Sequence, residues 1–239
     1  MVIELIEILL WYCVVTACFI MAGIFFLESK RRIGFSKPFF RAVGIYALCY
    51  AIARLIENIR RYSVGTYNDI VEAWIAGDQI SGLSLIFRLL YVTISFIGIV
   101  FLYYNIERYI FTNNRYFVTI FSIIQAFLSI IIYIYFHLIF FYLAVAIFFI
   151  PCYFLPILFF NAARKAPSKY IRNGCILTAI GIIMFTTAVI IDLPESAYVS
   201  YVFGIKPSES IIRLISPILL ILGVIISTFG LKTHFQENR

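Results

Sequence analysis

Seven long apolar stretches, joined by short charged connections, constrain this chain more than any other feature. A helix needs about 20 apolar residues to cross the roughly 30 Å hydrocarbon core of a bilayer. Stretches of that length occupy about 3–27, 39–60, 83–104, 117–136, 139–160, 173–193 and 211–231. The fold expected is all-α: a polytopic membrane protein, a seven-transmembrane-helix bundle forming one transmembrane domain over 1–239. Composition agrees, since only 13% of residues are charged and 63% are hydrophobic. An ordinary soluble domain carries about 25% charged residues. The spans use most of the 239 residues, which leaves no room for a soluble catalytic or DNA-binding domain.

One boundary follows from length alone. Residues 117–160 are almost continuously apolar, and as a single helix they would extend about 66 Å. That is twice the hydrocarbon thickness. A tight turn is therefore expected near Tyr135 to Leu138, although no Gly or Pro marks it. At the other end of the chain, Glu4 and Glu7 stand where a signal peptide would be basic, and the apolar run continues to Leu27. The first stretch reads as a retained span.

Charge placement predicts the threading. Lys30, Arg31, Arg32, Lys37 and Arg41 follow the first span, Arg108 and Arg115 the third, and Arg164, Lys165, Lys169 and Arg172 the fifth. Lys232 and Arg239 follow the seventh. Asp69, Glu72 and Asp78 dominate the connection after span two, and Glu195 and Glu209 the one after span six. Short cytoplasmic loops collect Lys and Arg, so the expected topology is N-terminus outside, C-terminus in the cytoplasm, in the cell membrane. The net charge of +7 is thereby assigned to orientation and to anionic lipid headgroups, and no nucleic-acid partner is expected. In the connection after span two, Asp69 to Ile80 sets Ile70, Val71, Trp74 and Ile75 on one side, the pattern of a short interfacial helix.

The spans are not uniformly apolar. Arg54 and Glu57 lie three residues apart and share a helix face. Arg54 falls about 20 Å along span two from Arg41, and Arg88 about 28 Å along span three from Glu107. All three therefore fall in the outer third of the membrane, where Asp192 ends span six and Arg213 opens span seven. A charge facing lipid costs several kcal/mol, so these groups should turn inward and pair, Glu57 with Arg88 or Arg54. Guanidinium in surplus over carboxylate suits a carboxylate or phosphate ligand. Arg54, Glu57, Arg88, Asp192 and Arg213 are the expected ligand-binding residues.

At the inner end of span three stands Glu107-Arg108-Tyr109. In this triplet, in helix number and in expected threading, the chain resembles the rhodopsin-like G-protein-coupled receptors. The resemblance implies that Glu107, Arg108 and Tyr109 couple to a separate cytoplasmic signalling partner. It stops there: span six has no Trp-x-Pro, span seven has no Asn-Pro-x-x-Tyr, and no cysteine tops span three. Lys232 lies too shallow to anchor a retinal.

No catalytic residue, metal site or cofactor is expected. His137 and His234 fall on opposite sides of the expected membrane, and Cys13, Cys18, Cys49, Cys152 and Cys175 lack metal-ligand spacing. Hydrolase, metalloprotease and phosphate-loop motifs are missing. Gly174, Thr178 and Gly181, with Gly223, Ser227 and Gly230, form small-residue stripes suited to close helix packing. The function expected is a non-enzymatic receptor or sensor with an outward-facing polar pocket for a small anionic or lipid-like ligand. The alternatives are a transporter or exporter component, or a membrane scaffold.

Overall fold

The structure is a computed structural model. It describes residues 2–34, 36–64, 69–76, 78, 80, 82–110, 116–202 and 209–234, and the side chains of several of these, Tyr109 and Arg213 among them, lie outside the description. All regular structure among the described residues is helical. The elements are α1 (Val2–Arg31), α2 (Ser36–Ile59), a π-helical turn (Arg60–Val64), α3 (Asp69–Ala76), α4 (Gly82–Ile110) and α5 (Phe117–Ile134). They continue with α6 (Leu138–Lys165), α7 (Lys169–Asp192), α8 (Pro194–Val202) and α9 (Glu209–His234). Seven of them are long and apolar enough to cross a membrane; α3 and α8 are the short ones.

Two compact units partition the chain. The first comprises Met1–Ala17, Pro151–Leu193 and Lys206–Arg239. Its centre is the α7–α9 pair, where the small residues of the two stripes meet backbone to backbone. A Cβ on Gly181 would lie 2.4 Å from the Ser227 amide nitrogen, one on Gly223 2.6 Å from that of Phe185, and one on Gly230 2.5 Å from that of Thr178. No side chain fits there, which is why glycine occupies these positions. Ser216 Oγ adds a hydrogen bond to the Ala188 carbonyl, 2.8 Å away, across the same pair. At the start of α7, Ser168 leaves the helix in an extended conformation and its side chain accepts from the Ile171 amide, the usual N-cap arrangement.

The second unit comprises Cys18–Ile150 and Pro194–Ile205. Here α4 runs between α2 and α5. Gly98 lets α4 approach α2, since a Cβ there would lie 2.8 Å from the Cys49 Cβ. The turn between α5 and α6 falls at Tyr135–His137. Tyr135 supplies the break by turning to an extended conformation (φ −141°, ψ 96°) while its amide still bonds the Ile131 carbonyl at 2.7 Å. His137 Nδ1 then accepts from the Ile139 amide at 3.3 Å, serving the first turn of α6. No glycine is needed because aromatic packing holds the turn: Phe136 stacks on Trp74 with ring centroids 5.0 Å apart and meets Phe141 at 6.0 Å.

The short helices cover this cluster. α3 buries Ile70 and Trp74, whereas Ile75 on the expected apolar side is exposed. Trp74 also stacks on Tyr133 at 5.6 Å and meets Tyr198 of α8 edge-on at 6.0 Å. α3 is thus held by aromatic contacts to the unit, and only part of its apolar face is left outward. α8, which no periodicity in its connection predicts, begins on Pro194 with Glu195 in its first turn. Both residues favour a helix start.

The glycine contacts separate two substitutions of the same chemistry. Gly181→Ala should destabilise the protein by about 1–3 kcal/mol through overpacking. Gly23→Ala, where a Cβ meets nothing within 4 Å, should be neutral or stabilising by up to about 1 kcal/mol. Thermal melts of the two variants in detergent test this, and equal behaviour would refute the close α7–α9 approach.

Candidate functional site

Near the C-terminal end of α2, position 57 is a glutamate that is 0% exposed. Three and four residues on come Arg60 and Arg61, the two positions that return to the same helix face. Both guanidiniums turn back to it. Arg60 donates twice, Nε to Oε2 at 3.1 Å and Nη2 to Oε1 at 2.9 Å, and Arg61 Nε donates to Oε1 at 2.9 Å. From the first half of α4, Arg88 Nη1 approaches Oε1 at 3.2 Å. One carboxylate therefore holds three guanidiniums, and the two from its own helix lie in the π-helical turn. Such turns occur frequently at functional sites.

The cluster extends in two directions. Arg60 also pairs with Asp69, the first residue of α3, while Ser84 Oγ donates to the other oxygen of Asp69 at 2.6 Å and accepts from Arg60 at 3.3 Å. Arg88 Nη2 donates to Tyr133 Oη at 2.6 Å, and its guanidinium lies 4.7 Å from the ring centroids of both Tyr91 and Tyr133. One turn before Glu57, Arg54 donates to Tyr50 Oη at 3.2 Å and sits 5.6 Å from the Tyr91 ring. Four buried arginines are thus gathered with two carboxylates among tyrosine faces. Planar guanidiniums stacked on rings and fixed by bidentate bonds are the donors best suited to carboxylate and phosphate oxygens.

Of the residues expected from sequence, Arg54, Glu57 and Arg88 all belong to this group in the second unit. Asp192 closes α7 in the first unit and is buried there. The Arg213 side chain lies outside the described residues. Arg60, Asp69, Ser84 and Tyr133 were missed. The signal for Arg60 was its i+3 spacing from Glu57; Asp69, Ser84 and Tyr133 join through tertiary packing that no local pattern carries.

The triplet at the far end of α4 has a different environment. Glu107 is 1% exposed, and its carboxylate accepts from the Val118 amide at 2.6 Å, the Thr119 amide at 2.9 Å and Thr119 Oγ1 at 2.6 Å. These amides open α5 and have no partner within their own helix. Tyr116, at the N-cap position, supplies no side-chain bond. Glu107 does that work from the preceding helix, and its negative charge suits the positive end of the α5 dipole. Arg108 is exposed, and the Tyr109 side chain lies outside the described residues. Between the two ends, the buried face of α5 carries Thr119, Ser122, Gln125, Ser129 and Tyr133. A scan against models of known protein families, a search of curated proteins and a search of solved structures find no match.

Two stability tests follow. Glu57→Gln removes the charge that holds three buried guanidiniums and should cost about 3–5 kcal/mol. Adding Arg88→Met to it should recover part of that loss, a coupling measurable in a double-mutant cycle by thermal or denaturant melts. Glu107→Ala should cost about 1–2 kcal/mol by exposing the α5 amides to no acceptor. A loss below a few tenths would rule out the cap.

Proposed function

We propose that this chain is a multi-pass protein of the cell membrane, threaded N-terminus out and C-terminus in. It acts as a receptor or sensor for a small anionic or lipid-like ligand and carries no catalytic chemistry of its own. The membrane reading draws support from the seven long apolar helices and from their outward faces. Leu9, Ile20, Leu83, Ile86, Ile97, Phe127, Ile225 and Phe229 are all more than half or about half exposed in the chain taken alone. Soluble monomers rarely leave apolar surface of this extent uncovered. The alternation of basic and acidic connections supports the orientation.

One observation carries the ligand class: Arg54, Arg60, Arg61 and Arg88 are buried together with Glu57, and the half-buried Asp69 joins them, near the end of α2 and the start of α4. In the proposed threading that end faces outward. In the same threading the basic connections 28–41 and 161–172, with the exposed Arg108, fall inside and would meet a separate cytoplasmic partner. A second reading, a transporter, is favoured by the buried hydroxyl and amide stripe of α5, which runs the length of that helix.

Binding can be tested on the detergent-purified full chain. Acetate, phosphate and an anionic lysolipid should raise the melting temperature, increasingly as their concentration exceeds Kd, and Arg54→Met should weaken at least one of these shifts several-fold. No shift from any of them removes the receptor reading. Orientation is read by membrane-impermeant labelling of single cysteines placed at Arg31 and at Asp78 in whole cells: only the second should react.

A further inference from the structure

Asn58 is 0% exposed, and among the described residues neither its Oδ1 nor its Nδ2 has a hydrogen-bond partner. A primary amide offers two donors and two acceptor lone pairs. Leaving them unmet in a dry interior is unfavourable. Native interiors satisfy the large majority of such groups, so one left entirely unmet calls for an occupant. Its place says which. Asn58 lies four residues after Arg54 and three before Arg61, positions whose Cβ atoms are roughly 5–6 Å from its own on the same helix face. Tyr50, Arg54, Glu57, Asn58 and Arg61 form one buried stripe. The Glu57 carboxylate beside it is already committed to three guanidiniums.

We infer that Asn58 reads the neutral part of the ligand. The arginine site takes an anion whose charged group is flanked, one or two bonds away, by a hydroxyl or amide, and Asn58 bonds that flanking group. This inference rests on the anion reading above and narrows it. Guanidiniums alone accept any carboxylate or phosphate of suitable size. A buried amide discriminates, because an analogue that lacks the flanking group leaves the amide unmet while the charge is still bound. The flanked-anion pattern is shared by small hydroxy acids and by glycerophosphate headgroups.

The test compares ligands that differ only in the flanking group, on the full chain in detergent at constant ionic strength. Lactate is set against propionate, and glycerol 3-phosphate against n-propyl phosphate, with affinity read from the concentration dependence of the melting temperature. In the wild-type protein, lactate or glycerol 3-phosphate should bind about tenfold more tightly than its partner. Discrimination in the carboxylate pair assigns a hydroxy acid, and in the phosphate pair a glycerophosphate group. Asn58→Leu should reduce the ratio to within about twofold and, by removing an unmet amide, should raise the melting temperature of the ligand-free protein. Equal binding within both pairs overturns the role of Asn58 while leaving the anion site standing. Failure of all four compounds to bind overturns both. An Asn58→Leu protein that melts lower than wild type, or fails to fold, shows the amide to be a structural group and overturns the inference.

Discussion

The carboxylate of Glu57 is the interaction on which the second unit depends. A lone arginine in an apolar interior is prohibitively unfavourable, and a pair breaks even only when its geometry is good. Here one carboxylate, with no exposure, orders three guanidiniums drawn from two elements: Arg60 and Arg61 of the π-helical turn and Arg88 of α4. The ordering spreads outward from there. Arg60 draws in Asp69 and so fixes where α3 starts, and Arg88 draws in Tyr133 and so fixes the end of α5. Trp74 then stacks on the same Tyr133. The polar cluster and the aromatic cluster share that one side chain, so positioning the charge and packing the short helices are a single problem.

The helices were legible because hydropathy and length are properties of consecutive residues. The α5–α6 turn was found the same way, from a run too long to be one span, even though Tyr135 and His137 bear no turn signature. The small-residue stripes of α7 and α9 were legible too, since spacing alone decides which residues share a face. Glu57 and Arg88 were singled out because charge within a span is conspicuous against its background.

What stayed hidden depended on contacts between elements. The resemblance to rhodopsin-like receptors makes Glu107, with Arg108 and Tyr109, a cytoplasmic coupling group. The observed partners of Glu107 are amides eleven and twelve residues later, and nothing in the triplet points to them. Ile75 was expected to share a face with Trp74, but α3 is docked by Ile70 and Trp74 and leaves Ile75 outside. α8 was hidden because its stabilising contact, Tyr198 on Trp74, joins segments far apart in sequence.

The two polar attachments of α5 to α4 have a mechanical consequence. Glu107 grips the first turn of α5, and Arg88 grips Tyr133 in its last. The attachments are separated by roughly 21 Å along α5. A slide of one turn, about 5.4 Å, would strip both at once and strand a buried carboxylate and a buried guanidinium. Shear along this interface is therefore locked, and rotation of α5 about its own axis is locked with it. The pair behaves as a braced strut, so a shift of α5 along its axis at the arginine end is resisted at the Glu107 end as well.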